Sequence, residues 1–241
     1  MSHRLRSAIK QSFADAADPE RAAGQQAYMK SEMPYYGIPA ADMRRLAKAV
    51  FDAHPLPDRE SWTQAVLTLW RDAEFREERY AALTLIDHKP YRRYYDVNLL
   101  ALLDELIVSG AWWDFIDPIA SNYVGALLRE HRAAIEPQLL VWAEDDNHWR
   151  RRSAILAQLK FKADTDWPLQ QRFMAPSLEE REFFLRKAIG WALREYSKTD
   201  PEAVLAYVRG HAKLLSGLSK REGLKVLLKT GQVAREDPLF A

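Results

Sequence analysis

The stretch RSAILAQL, residues 152–159, has three relatives elsewhere in the chain, and this repetition decides the fold. The related segments are RYAALTLI from residue 79, PIASNYVG from residue 118 and RKAIGWAL from residue 186. Their third positions, Ala81, Ala120, Ala154 and Ala188, follow one another at intervals of 39, 34 and 34 residues. This is the length of a helix-turn-helix unit, and a small central residue lets helix backbones pack closely. The spacing favours a helical solenoid over a chance likeness between amphipathic helices.

The rest of the chain also has the pattern of helices, since alternating polar and apolar runs are rare and only nine glycines occur. Helix starts are predicted at Asp58, at the pair Asp200–Pro201, and at Ser177 with Glu180 in a capping box. The breaks between predicted helices are short, so we expect a single domain over residues 1–241. The predicted fold is all-α, a curved α-solenoid whose stacked helices form a concave face.

The composition excludes several kinds of site. Hydrophobic residues make up 48% of the chain and charged residues 29%, as in an ordinary globular protein. Because there is no Cys, disulfides, thiolate metal sites and cysteine nucleophiles are excluded. The six His lack ligand spacing, so we predict no metal. No segment has the roughly 18 apolar residues of a membrane span, and the N-terminus lacks the apolar core of a signal peptide. We expect a cytoplasmic monomer that does not enter a membrane.

The net charge of +1 hides an uneven distribution along the chain. Residues 1–147 hold 17 Lys and Arg against 23 Asp and Glu, a net charge of −6. Residues 148–241 hold 18 against 11, a net charge of +7. A basic C-terminal part suggests a polyanionic partner, although a solvated imbalance of charge would look the same in a count.

Three cations and a tryptophan share one side of the helix predicted between residues 180 and 198. Lys187, Trp191, Arg194 and Lys198 are spaced by four, three and four residues, which aligns them at 3.6 residues per turn. Such a stripe suits phosphates and a sugar, but a solvated face with a partly packed tryptophan is the alternative. The segment HWRRRSAILAQLKFK, residues 148–162, repeats the combination one period earlier.

The segment WWDFID, residues 112–117, adds carboxylates to this pattern. An acid near phosphates is repelled, so Asp117 needs another reason to be there. If the segment is helical, Trp113 and Asp117 lie four residues apart and share a face. Alternatively, Asp117 caps a helix that begins at Pro118, with the tryptophans in the core, because a residue before proline disfavours α geometry.

Taken together, these segments resemble the AlkD type of DNA alkylation repair glycosylase, a family built from HEAT-like helical repeats. The resemblance spans most of the chain and is carried by YMKSEMPYYGIPAADMRRLAK (28–48), WWDFID, HWRRRSAILAQLKFK and EFFLRKAIGWALREYSKTDP (182–201). It implies an enzyme that excises N3- and N7-alkylated purines from double-stranded DNA, bound on the concave face of the solenoid. It also implies that neither a metal nor an organic cofactor takes part.

By this resemblance, Trp113, Asp117 and Trp191 form the catalytic cleft. Asp117 is expected to stabilise an oxocarbenium-like sugar and to orient water, while the tryptophan faces hold the sugar. Arg152 is expected to grip a neighbouring phosphate, and Tyr28 to contribute from an N-terminal helix. The predicted DNA-binding residues are thus Arg152, Tyr28, Lys187, Arg194 and Lys198. The other pair of the segment, Trp112 and Asp114, is expected to be structural.

The alternative from another class is a catalytically silent helical-repeat protein. It would use the same face to bind damaged or branched nucleic acid, or a protein partner. A binder gains nothing from an anion at Asp117, so release of a free alkylated base distinguishes the two functions.

Overall fold

The computed structural model describes residues 2–234, 236, 237 and 239, and every regular element among them is helical. This confirms the prediction of an all-α fold. The chain forms two compact units, one extending to Tyr95 and the other beginning at Asp96. A single domain over residues 1–241 and a concave face shared by the whole chain stay predictions. In the described part of the chain, no helix is both long and apolar enough to span a bilayer.

From Ser2 onward, the first unit is built from five α-helices and a short 3-10 helix. Helix α1 packs on α3 and α4, and α5 packs on the same two helices. The helices are α1 (Ser2–Ala14), α2 (Pro19–Met29), α3 (Ala40–Ala53), α4 (Arg59–Arg71) and α5 (Arg76–Ile86), followed by the 3-10 helix Lys89–Tyr94.

A buried carboxylate fixes the loop between α2 and α3. The backbone N–H groups of Tyr36, Gly37 and Ile38 all donate to Glu77, at 3.1, 2.9 and 3.3 Å. Gly37 has a φ of +88°, a conformation that L side chains rarely adopt, and its carbonyl accepts a hydrogen bond from Arg21 of α2. Because Arg21 lies in the first turn of α2, this loop holds α2 in place within the first unit.

Among its described residues, the second unit contains ten α-helices and three short segments of other helical geometry. The α-helices are α6 (Leu99–Gly110), α7 (Trp113–Pro118), α8 (Gly125–Glu130), α9 (Arg132–Ala143), α10 (His148–Leu156), α11 (Trp167–Met174), α12 (Phe183–Tyr196), α13 (Pro201–Gly210), α14 (Gly217–Gly223) and α15 (Lys225–Lys229). The other segments are a π-helical turn (Ile119–Val124) and two 3-10 helices (Lys162–Asp164 and Ala175–Ser177).

The small residues that define the repeats are all fully buried: Ala81 in the first unit, and Ala120, Ala154 and Ala188 in the second. In the second unit, α10 packs between α9 and α12, and α12 packs in turn on α14. The alanines therefore lie where successive helices approach one another, as expected for stacked helical repeats.

Two of the three predicted helix starts are confirmed. The side chains of Asp58 and Asp200 accept hydrogen bonds from the N–H groups of Ser61 and Ala203, which caps α4 and α13. The third is wrong, because α12 begins at Phe183 with Glu182 as its cap, and it ends at Tyr196. The predicted cap residues are engaged elsewhere: Ser177 and Glu180 both bind Arg151.

Candidate active site

Asp117 lies inside helix α7 and does not cap a later helix. Pro118 continues the helix with φ −67° and ψ −35°, and the wider π-helical turn follows it directly. Proline has no N–H to donate, so the regular α-helical bonding pattern is interrupted there. The Ser121 hydroxyl donates to the Asp117 carbonyl at 2.7 Å. Since Trp113 precedes Asp117 by four helical residues, the two share a face, and Trp113 is half-buried.

Asp117 is joined to Arg152 of α10 by two hydrogen bonds. Arg152 Nε donates to Asp117 Oδ1 at 2.8 Å, and Nη2 donates to Oδ2 at 2.9 Å. This fork-to-fork arrangement fixes the plane of the carboxylate as well as its position. The Asp117 side chain keeps 15% of its surface exposed, so it is not completely enclosed by protein.

Burial raises the pKa of Asp117, and Arg152 opposes this shift through its hydrogen bonds and its charge. The neighbouring Asp114 raises the pKa of Asp117 further, by like-charge repulsion. The site therefore holds an acid whose charged form depends on its arginine partner.

Arg152 is only 1% exposed. Its remaining Nη1 donates to the carbonyl of Phe184. The guanidinium carbon lies 5.3 Å from the ring centroid of Trp191 and 5.8 Å from that of Phe184. In this structure the guanidinium of Arg152 bonds Asp117 and the carbonyl of Phe184. That Arg152 grips a DNA phosphate stays a prediction.

A cluster of aromatic rings supports this arginine. Phe184 lies 4.8 Å from Trp149 and 5.5 Å from Trp112, measured between ring centroids. Trp112 also approaches Trp149, at 6.4 Å. These contacts agree with the prediction that Trp112 is structural, and they make Phe184 the link between the aromatic cluster and the Asp117–Arg152 pair.

The two preceding arginines of α10 are also ion-paired. Arg150 binds Asp104 through two hydrogen bonds, at 2.7 and 2.8 Å, and Asp145 through one at 3.1 Å. These acids raise the pKa of Arg150 above its ordinary value. Arg151 binds Glu180 at 3.0 Å. The run of three arginines therefore ties α10 to neighbouring segments of the second unit through four acids: Asp104, Asp145, Glu180 and Asp117.

Acids also bind the predicted DNA-binding stripe of α12. Lys187 and Arg194 both donate to Glu222 of α14, at 2.9 and 2.8 Å. Lys198, just beyond the end of α12, donates to both oxygens of Glu195 at 2.6 Å. The Arg194 guanidinium carbon also lies 5.8 Å from the ring centroid of Trp191. Trp191 itself is half-buried, with cationic groups of Arg152 and Arg194 close to its ring.

The structure brings together Asp117, Arg152 and Trp191 by direct contacts in the second unit. Tyr28 belongs to the first unit, where it lies on the last turn of α2 and is 77% exposed. Its part in DNA binding stays a prediction. Among the described residues, no group of three or more His, Asp or Glu side chains is arranged to hold a metal ion.

Two residues of the site, Phe184 and Glu222, were not predicted from the sequence. Phe184 looked like an ordinary apolar position, and no pattern could reveal the use of its carbonyl. Glu222 could have been found by spacing, because it follows Lys187 by 35 residues, the same interval that separates Asp117 from Arg152. One repeat length thus separates the partners in both ion pairs.

Comparisons with known proteins agree with this architecture. A family model described as "DNA alkylation repair enzyme" matches residues 9–227. A solved structure described as a predicted DNA alkylation repair enzyme from Enterococcus faecalis superposes with a TM-score of 0.79 at 31% sequence identity. The match covers 88% of this chain and 97% of that one. Among curated protein sequences, none matches this chain.

Proposed function

This chain belongs to the family of DNA alkylation repair enzymes, and from that premise we propose that it is a DNA N-glycosylase. Its substrates would be cationic N3- and N7-alkylated purines in double-stranded DNA, released by hydrolysis of the N-glycosidic bond. We propose that it acts as a cytoplasmic monomer and without a cofactor.

The observation that carries this proposal is the partly exposed side chain of Asp117, whose carboxylate is oriented by two hydrogen bonds from a buried arginine. A carboxylate offers about four lone-pair sites, and Arg152 uses two of them. The remaining lone pairs can face a cationic sugar and a water molecule. Because Arg152 fixes the carboxylate before substrate arrives, little reorganisation is needed when charge develops on the sugar.

The chemistry of the substrate explains why one carboxylate is enough. Ordinary glycoside hydrolysis uses a second carboxyl group to protonate the leaving group. A purine alkylated at N3 or N7 already carries a positive charge, so the departing base takes the bonding electron pair and becomes neutral without an added proton. The sugar is left as an oxocarbenium-like cation, which Asp117 stabilises and to which it directs the attacking water.

The aromatic residues would form the walls of this site. Trp113 lies on the same helix face as Asp117 and is half-buried, which leaves part of its ring for a deoxyribose. Trp191 lies near two guanidinium groups, and we propose that its exposed part contacts the sugar or its backbone. Lys187, Arg194, Lys198 and Tyr28 are proposed to contact DNA outside this cleft, whereas Arg152 is proposed to position Asp117.

One observation favours a second candidate, a catalytically silent binder of damaged or branched nucleic acid, or of a protein partner. Both oxygens of Asp117 already bond Arg152, so the acid has a structural use as the counter-charge of a buried arginine. The 15% exposure of the Asp117 side chain favours the glycosylase, because a purely structural pair needs no access to solvent.

Base release distinguishes the two functions. The protein would be incubated with duplex DNA containing N7-methylguanine and N3-methyladenine, and free bases would be identified by mass spectrometry. We expect release of both bases, an abasic strand that alkali cleaves, and unchanged activity after treatment with EDTA. Binding of the duplex without base release would favour the silent binder.

A further inference from the structure

The side chain of Glu222 bridges two cations that lie seven residues apart on α12. Its Oε1 accepts from Lys187 Nζ at 2.9 Å, and its Oε2 accepts from Arg194 Nη1 at 2.8 Å. Each oxygen therefore serves one cation. The hydrogen bond from Lys187 and the charges of both cations hold the pKa of Glu222 below its ordinary value, so this bridge is anionic at neutral pH.

A glycine lets the bridge form. A Cβ atom added at Gly190 would lie 2.5 Å from Glu222 Cβ and 3.2 Å from the carbonyl oxygen of Ser219. Only a residue without a side chain lets α14 come this close, since Gly190 lies between Lys187 and Arg194 on α12. Packing of α14 on α12 thus places the carboxylate of Glu222 between Lys187 and Arg194.

We propose that the carboxylate of Glu222 occupies the position of a DNA backbone phosphodiester, and that bound DNA displaces it from Lys187 and Arg194. This inference rests on the proposed function, because it names a phosphate subsite for the same substrate. In the free protein, Glu222 blocks that subsite.

The chemistry of the two anions supports the exchange. A phosphodiester has two non-bridging oxygens that share one negative charge, and a carboxylate has two oxygens that share the same charge. Each can accept one charge-assisted hydrogen bond per oxygen from the same pair of cations. The phosphodiester therefore places one negative charge between Lys187 and Arg194, as Glu222 does in the free protein, while the displaced carboxylate turns away from them.

The location of the bridge also suits a backbone contact. Its three side chains are between 18% and 27% exposed, so solvent and a ligand can reach them. The guanidinium carbon of Arg194 lies 5.8 Å from the centroid of Trp191, whose ring is also approached by Arg152, the partner of Asp117. A phosphate bound here would therefore lie next to the proposed active site.

The test measures the affinity of the full chain for an undamaged, fluorescently labelled DNA duplex at low salt. Glu222→Gln removes the competing anion and keeps the shape of the side chain. We expect its Kd to fall by roughly tenfold, since DNA no longer has to break two partly exposed ion pairs that are each worth a few-fold in affinity. The gain should shrink as salt is added.

Glu136 provides a matched control, because its carboxylate also bridges two cations in the second unit. It accepts from Arg132 at 2.8 Å and from Arg172 at 3.3 Å, and its side chain is 22% exposed, against 18% for Glu222. Glu136→Gln changes the net charge by the same amount. We expect it to leave the Kd within about twofold of the parent.

Two further variants make the result specific. In a Lys187→Gln/Arg194→Gln background, Glu222→Gln should give no gain, because the cations it would release are absent. The side chain of Glu222→Asp is too short to bridge both cations, so this variant should also bind DNA more tightly than the parent. It serves as the test if Glu222→Gln does not fold. Any of three outcomes would overturn the proposal. The first is an unchanged Kd in folded Glu222→Gln, and the second is an equal gain in affinity in Glu136→Gln. The third is a gain that persists when Lys187 and Arg194 are both replaced. Absence of base release would refute the glycosylase and leave this binding result unaffected.

Discussion

Asp117 and Arg152 bind each other through two hydrogen bonds, although the arginine is almost completely buried and the two residues lie 35 positions apart. A buried guanidinium is costly unless it is paired, so Arg152 depends on Asp117. Asp117 in turn depends on Arg152 for its charge, because burial acts to protonate it. Each residue therefore stabilises the charged form of the other inside the protein. Substitutions at the two positions should change the excision rate and the stability by different amounts.

The first prediction concerns the charge of Asp117. Asp117→Asn keeps the shape of the side chain and removes the negative charge that would stabilise the sugar cation. Electrostatic groups of this kind contribute about 3 kcal/mol, so excision of N7-methylguanine should slow by roughly a hundredfold or more. DNA binding should persist or tighten, because repulsion between the acid and phosphate is lost. Single-turnover rates and Kd values measure both effects.

Asp114→Asn is the control for that variant, since Asp114 is the neighbouring acid on the same helix. It should keep most of the excision rate. Thermal unfolding must accompany both variants, so that a change in stability is not mistaken for a change in the chemical step. If Asp114→Asn abolishes activity while Asp117→Asn retains it, the acid has been assigned to the wrong residue.

The second prediction separates two roles for Arg152. Lysine keeps the positive charge but cannot form the fork that orients the carboxylate. If Arg152 positions Asp117, Arg152→Lys should slow single-turnover excision by up to about a hundredfold with little change in the Kd for DNA. A phosphate contact would give the opposite pattern, with weaker binding and a smaller effect on the rate at saturating protein.

The third prediction is a dependence on pH. Excision requires ionised Asp117, whose pKa is raised by burial, so the rate should fall on acidification at a higher pH than an ordinary aspartate would give. The stability that this group contributes has the opposite dependence: it is present at low pH and is lost as pH rises through the raised pKa. Rates corrected for spontaneous depurination, together with melting temperatures of the parent and Asp117→Asn across pH, test both signs. If the residual activity of Asp117→Asn still falls on acidification over the same pH range, the titrating group is not Asp117.

The fourth prediction compares two glycines inside helices. Gly190→Ala would force a Cβ atom against Glu222 and the Ser219 carbonyl, and should destabilise the fold by about 1–3 kcal/mol. Gly24 of α2 is exposed, and a Cβ there meets nothing within 4 Å. Gly24→Ala should therefore stabilise the protein by up to about 1 kcal/mol through helix propensity. Denaturant unfolding measures both, and equal effects would contradict the close approach of α12 and α14.

The fifth prediction concerns Tyr28. Its side chain is largely exposed, so Tyr28→Ala should leave the melting temperature within about a degree, as for other surface substitutions. If Tyr28 contacts DNA, the same change should weaken duplex binding, and Tyr28→Phe shows whether the hydroxyl or the ring is responsible. Unchanged affinity in both variants would remove Tyr28 from the DNA-binding surface.

The helical class and the packing positions could be predicted because they depend on local pattern. The four repeat alanines are fully buried, and Asp58 and Asp200 cap helices as their sequence contexts indicate. These features follow from residue size and from side-chain acceptors near free backbone N–H groups, which are visible in a single segment.

The pairing of charges could not be predicted in the same way. A stripe of cations looks identical in sequence whether it faces phosphates or acids from another helix, and Lys187 and Arg194 both face Glu222. Arg152 likewise has the donors to bind a phosphate or a carboxylate equally well. Which anion it meets depends on helix packing. That the backbone carbonyl of Phe184 accepts a hydrogen bond from Arg152 cannot be predicted from residue types.

The π-helical turn after Pro118 changes the direction in which the side chains of α7 point relative to those of α8. A π turn closes its hydrogen bonds over one residue more than an α turn, so Ile119–Val124 holds one inserted residue between α7 and α8. Deleting a single residue there would restore α-helical spacing after Pro118 and would rotate α7 by about 100° relative to α8. Asp117 would then turn away from Arg152 while the buried residues of α8 kept their places. The π-helical turn therefore sets the direction of Asp117. Shortening it by one residue should abolish excision and, because Phe115 and Ile116 of α7 are fully buried and would turn as well, should also lower stability.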